Sequence, residues 1–208
     1  MTSVGELLIA SPAEPWRRIG LPVRDDTAQV GGVRLRFVPG TGGVVGWGLV
    51  GLPEPCELID GLPTHELPEL QVPVQSTGQS TGILGFDHLV VMTSSLERTC
   101  GEIERATGEP LKRIREAGAI RQGFHRLGEV IVEVVESSQI SEPTARFWGF
   151  VWNVADIHEW CDRLGPDVVS LPKPAVQPGR FIATFRESVG LSVPLGIMSA
   201  PSPRASHP

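Results

Sequence analysis

In the run VIVEVVE (130–136) one carboxylate, Glu133, interrupts a strand of valines. A charged side chain is seldom set there without a partner or a ligand. Strand parity puts Val130, Val132 and Val134 on a face suited to packing under helices, and turns Ile131, Glu133 and Val135 to the other face. Arg121 is a cation that could pair with Glu133 or contact a substrate. Arg180 opens a strand whose apolar face is Phe181, Ala183 and Phe185, so Arg180, Ile182, Thr184 and Arg186 point the opposite way. At a pocket, its guanidinium would hold a carboxylate or phosphate through two parallel hydrogen bonds; at a bare strand end it would be solvated. Trp148 and Trp152 flank Phe150 and either line an apolar substrate pocket or pack in the core. Nucleophilic catalysis finds no support. There is no G-x-S-x-G elbow, Cys100 and Cys161 fall on apolar helix stripes, and the chain has no Tyr.

The elements that carry these residues repeat. FDHLVVMTSS (86–95) matches FWGFVWNVAD (147–156): Phe86 falls on Phe147, Val90 on Val151, Leu96 on Ile157 and Cys100 on Cys161. Each stretch runs from a strand into a capped amphipathic helix. Ser94-Ser95-Leu96-Glu97 has the capping-box form in one copy, and Asp156 with Glu159 serves in the other. The helices are expected to stop at Gly108 and Gly165. A fainter third copy opens with Glu6-Leu7-Leu8-Ile9 and a capping box at Ser11-Pro12-Ala13-Glu14. Strand signals follow each helix: 28–30, 33–37 and 44–52 in the first unit, 111–115, 120–127 and 130–135 in the second, and 168–171, 180–186 and 192–198 in the third. The expected organisation is an N-terminal strand–helix–three-strand (βαβββ) unit at 1–52 and a Pro/Gly-rich linker at 53–82. Paired units follow at 83–140 and 145–200, with a disordered tail at 201–208. The 208 residues, 40% hydrophobic and 20% charged, suffice for a real core. The net charge of −6 gives no reason to expect nucleic acid, no apolar run is long enough for a membrane helix, and the N-terminus is unlike a signal peptide. Three cysteines without metal or disulfide spacing fit a cytoplasmic protein.

A tandem βαβββ unit with a DHLVV opening strand and an IVEVVE closing strand resembles the vicinal oxygen chelate superfamily, which groups glyoxalases, bleomycin-resistance proteins and dioxygenases. The resemblance covers about residues 4–52 and 84–199. It implies an α+β fold with two units paired into a curved mixed sheet forming a cup, helices outside, plus one extra N-terminal unit. It also implies a divalent metal, Zn, Fe, Mn or Ni, held by His88 on a first strand and Glu133 on a last strand, with Glu133 the catalytic group. His125 joins them if Gly128 centres a three-residue loop; a two-residue loop brings Phe124 to that face instead. In the third unit Gly149 stands where His88 would be, and Pro194 or Gly196 where Glu133 would be. Glu6 aligns with His88 in the first. Two functions follow: a metal-assisted lyase, isomerase or dioxygenase acting on a small oxygenated metabolite, or a metal-free protein that sequesters a small molecule. Three units leave one unpaired, so a homodimer is expected.

Overall fold

The computed structural model describes residues 1–68 and 81–200. It is an α+β structure of two mixed sheets and, among the described residues, three α-helices. The second half follows the expected plan. β7 (Ile83–Thr93) leads into α2 (Leu96–Thr107), then β8 (Arg113–Ala117), β9 (Ile120–Leu127) and β10 (Val130–Ser137). β11 (Arg146–Val154) leads into α3 (Ile157–Leu164), then β12 (Lys173–Pro174), β13 (Phe181–Thr184) and β14 (Leu195–Ser199). The sheet order is β12-β13-β14-β11-β7-β10-β9-β8, so the two units join edge to edge through antiparallel β7 and β11. This is the paired topology that the resemblance implied. The caps are local chemistry. Ser95, one residue later than the box of Ser94 with Glu97 would place it, accepts a hydrogen bond from the Arg98 amide, while Glu97 pairs with Arg121; Asp156 accepts from the amides of His158 and Glu159, and the helices stop at Gly108 and Gly165. Of the weak strands, 168–171 gives only a bridge from Val169 to Phe185.

The first half departs from expectation. β1 (Ser3–Ala10), α1 (Glu14–Arg18), β2 (Thr27–Val30), β3 (Val33–Val38) and β4 (Gly43–Val50) are joined by two further strands, β5 (Leu58–Ile59) and β6 (Leu62–Leu67). These lie inside the presumed linker 53–82 and correct it. Pro63 is compatible with a strand because pairing with β4 begins only at Thr64, so β4 makes no use of its missing N–H. Residues 69–80, the rest of that stretch, and the tail 201–208 lie outside the described residues. At α1 the expected cap also fails. Ala13 occupies the cap, and the Ser11 hydroxyl instead accepts from the Trp16 indole at 3.0 Å.

The order of this sheet is β2-β3-β1-β4-β6-β5. β3 runs parallel to β1, β6 runs parallel to β4, and β1 and β4 are antiparallel at the centre. Strip β8 and β12 from the second sheet and the same order remains. The chain therefore holds two paired modules, and the fourth unit, β4–β6, has no helix. No unit is left over, so no odd unit calls for a second copy of the chain.

The two sheets share one core. Trp16 packs against Phe37, Phe150 and Trp152 with ring centroids 5.3–6.1 Å apart, and Trp47 meets Phe147 edge-on at 5.3 Å. Both aromatic faces are thus spent against each other. This leaves the other face of the second sheet, with His88, Val90 and Glu133, to line cavities.

Candidate active site

The register fixes which residues share that face. In β10, Ile131 lies opposite His88 and Glu133 opposite Val90. Across the module's local two-fold, Val90 faces Gly149 and His88 faces Val151, which in turn faces Gly196. Gly196, rather than Pro194, therefore stands at the position equivalent to Glu133. A Cβ built on Gly149 would lie 2.3 Å from the Pro194 carbonyl oxygen, which accepts from the Phe150 amide. No side chain fits at Gly149, so the histidine of one copy cannot stand in the other without breaking the β11–β14 edge.

His88 and Glu133 do come together. His88 Nε2 lies 3.5 Å from Glu133 Oε2, and both side chains are mostly buried. The other ring nitrogen, Nδ1, is 2.8 Å from Asp87 Oδ1, and Asp87 Oδ2 is 2.8 Å from Arg180 Nη1. The result is a chain of groups, Arg180–Asp87–His88–Glu133. Neighbouring residues of a strand normally face opposite ways, yet Asp87 and His88 touch. The pairing explains it: Phe86 lies opposite Trp152 and His88 opposite Val151, so Asp87 is an extra residue without a partner. Such a bulge re-aims a side chain. Burial alone would raise the Asp87 carboxyl, but hydrogen bonds from His88 and Arg180, and their charge, outweigh it and hold it below the usual carboxylate range.

Arg180 is buried and fully engaged. Besides Asp87 it donates to the Ser199 carbonyl at 2.9 and 2.7 Å and to the Asn153 side chain. It anchors Asp87 and is not free to grip a ligand. Arg121 pairs with Glu97 at 2.7 Å and Glu136 at 2.9 Å, so it is neither the partner of Glu133 nor a residue of either cavity. The partner of Glu133 is Gln122, whose Nε2 donates to Oε1 while its own Oε1 is buried with no partner. A two-residue turn pairs Leu127 with Val130 and sets Val132 opposite His125 and Glu133 opposite Phe124. His125 therefore lies on the helix side with Nδ1 3.1 Å from the Glu109 carbonyl, its pKa lowered by burial, and takes no part in the site. Trp148 is the extra residue of a second bulge, between Phe147 and Gly149, and lines a cavity at 46% exposure. Trp152 keeps the parity of Phe150 and is buried against Trp16. Two contributors escaped the sequence reading. Asp87 left no signal, because the bulge reverses its direction. Gln122 was readable, since the two-residue turn that selects Phe124 selects Gln122 too.

Two cavities meet at the His88–Glu133 pair. One, of about 490 Å³, is apolar and lined by Val90, Met92, Trp148, Val151 and Phe185. The other, of about 520 Å³, is lined by Arg113, Arg115, Gln122, Phe124 and Lys173. Both are of small-molecule size. The metal implied by the resemblance fits poorly. Its four positions hold His88, Glu133, Gly149 and Gly196, which is two donors where a catalytic ion takes about three. No cluster of three or more His, Cys, Asp or Glu side chains able to hold an ion occurs among the described residues. Burial pushes the Cys100 thiol up to about 12 and also raises Cys56 and Cys161. Among the described residues no helix is long and apolar enough to cross a membrane.

No family model matches the sequence, and no curated protein matches it. Solved structures do align. Methylmalonyl-CoA epimerase from Mycobacterium tuberculosis is 14% identical over 59% of this chain and 91% of its own, with a TM-score of 0.49. A hypothetical protein from Bacillus halodurans C-125 is 15% identical over 58% of this chain and 97% of its own, also with a TM-score of 0.49. A variant of the Streptomyces coelicolor methylmalonyl-CoA epimerase, in complex with 2-nitronate-propionyl-CoA, is 13% identical over 56% and 97%, with a TM-score of 0.46.

Proposed function

We propose that the chain is a small-molecule enzyme of the isomerase or lyase kind, working by proton transfer at a carbon beside a carbonyl-type oxygen. The observation that carries this reading is the His88–Glu133 pair at the meeting point of two cavities, 3.5 Å apart and oriented from behind by Asp87. Glu133 takes the proton from carbon, and the electron pair moves onto the substrate oxygen. His88, as imidazolium, gives that oxygen a hydrogen bond or the proton itself through Nε2. Asp87, held ionised, stabilises the imidazolium and fixes the ring. Return of the proton to the neighbouring carbon, or to the opposite face of the same one, completes an isomerisation; loss of a group from the neighbouring carbon completes an elimination. Of the reaction kinds raised by the sequence, these are the ones that two donors support without an ion. On the same ground, protein purified without a His-tag should carry clearly less than one divalent metal per chain by elemental analysis.

The test is deuterium wash-in. A panel of 2-oxo and 3-oxo acids is incubated with the protein in D₂O and the C–H signals are followed by NMR. The wild-type protein should accelerate exchange for at least one compound, and Glu133→Gln should slow it by about 10²–10⁴-fold. Equal exchange in both proteins, or none in either, would overturn the reading. Binding without exchange would favour the sequestering function, which the apolar cavity also suits.

A further inference from the structure

The two cavities differ in chemistry, and the difference specifies a ligand. Arg113 and Arg115 come from β8, one edge of the second sheet, and Lys173 comes from β12, the other edge. All three line the same cavity. None forms an ion pair among the described residues, whereas Arg121, Arg146 and Arg180, all of the same half, each do. Arg113 is held over the Phe124 ring, 4.5 Å from its centroid, which steadies a cation without neutralising it. The carboxylates in this cavity are Asp87, engaged by Arg180 and His88, and Glu133, bonded to Gln122. A chain of net charge −6 thus gathers three unpaired cations around one small chamber. The adjoining chamber is apolar, and Trp148 stands in it.

We infer that the site takes an amphipathic anion: a carboxylate or phosphate head held by Arg113, Arg115 and Lys173, an apolar tail against Trp148, and the reacting carbon between them at Glu133. The inference rests on the acid–base reading only for the last clause, since head and tail recognition concern binding alone. Guanidinium groups suit either head through paired hydrogen bonds. The tail should contribute by burial, so affinity should rise with chain length by about fourfold for each methylene added.

Intrinsic fluorescence supplies the readout. Of the five tryptophans, Trp148 is 46% exposed while Trp16, Trp47, Trp152 and Trp160 are at 2% or less. Titration of the full chain with butyrate, hexanoate and octanoate should perturb emission with rising affinity, and Trp148→Phe should remove the signal. Octyl phosphate against octanoate tells which head is preferred. Octanol should bind at least about tenfold more weakly than either. Arg113→Ala with Arg115→Ala should erase that preference for the anion while leaving octanol unchanged. These two side chains sit on an edge strand, and circular dichroism checks that the variant is folded; Lys173→Ala, on the opposite edge, should weaken octanoate independently. Octanol binding as tightly as octanoate, no binding of any probe, or octanoate affinity unchanged in both variants would each overturn the proposal. Glu133→Gln should retain octanoate binding whether or not it abolishes exchange, so a failure of the catalytic reading stays separate.

Discussion

A single extra residue decides the character of the site. Without the bulge at Asp87, its carboxyl would point to the aromatic back of the sheet, and His88 would face the cavity unsupported. Glu133 was legible because residue type and strand parity agreed, and His88 because the resemblance pointed to it. Asp87 was not, because parity fails wherever a strand gains a residue, and nothing local announces the gain. The same rule separates Trp148 from Trp152, which look alike in sequence. Asp87 also carries a pH signature. Its folded pKa lies below its unfolded value of about 3.9, so its contribution to stability is complete above that value and is lost as pH falls through the folded one. Urea unfolding should find Asp87→Asn less stable than the wild type at neutral pH. The gap should close below about pH 4; a gap independent of pH would deny the role assigned to the carboxylate.

At the scale of elements, caps, turns and strand runs were readable where chemistry is local, as at Ser95 and Asp156. β5 and β6 were hidden because Pro63 and the prolines before them read as linker and because the pairing of β6 with β4 is distant information. Their turn is a fastener. Asp60 accepts from Arg98 Nε at 2.8 Å and from the Thr99 hydroxyl at 2.5 Å, at the start of α2, and its carbonyl accepts from the Ala145 amide. Asp60→Ala should therefore cost about 2 kcal/mol in global unfolding although the residue belongs to the other module. A loss below about 0.5 kcal/mol would show that the hairpin does not brace the second module.

For the whole molecule, equivalent positions in the two modules tell the difference in role. Where the second has His88, Glu133, Gly149 and Gly196, the register of the first gives Glu6, Arg36, Gly46 and His65. Glu6 is 1% exposed and pairs with Arg34 at 2.6 Å and with Arg36 and His65 at 3.1 Å. Ion pairs close in the first module the place that the second leaves open, so the candidate site lies in the second. Because the aromatic backs cover each other, light scattering should find the full chain monomeric at micromolar concentration. A truncated chain beginning at Ser80 should expose Phe147, Phe150 and Trp152 and lose solubility or cooperative unfolding. A truncated form that stays monodisperse and unfolds like the parent would contradict the shared core.

The contact between Trp47 and Phe147 joins residues made far apart in time. Chains grow at about 5–20 residues per second, so roughly 5–20 s pass between the synthesis of one ring and of the other. Late in that interval the first sheet, complete at Leu67 and with Trp16 and Trp47 on its back, is made without the surface that will cover it. The half of the molecule without the candidate site is thus the half that waits uncovered, open to chaperones and to aggregation, while the protein is being made.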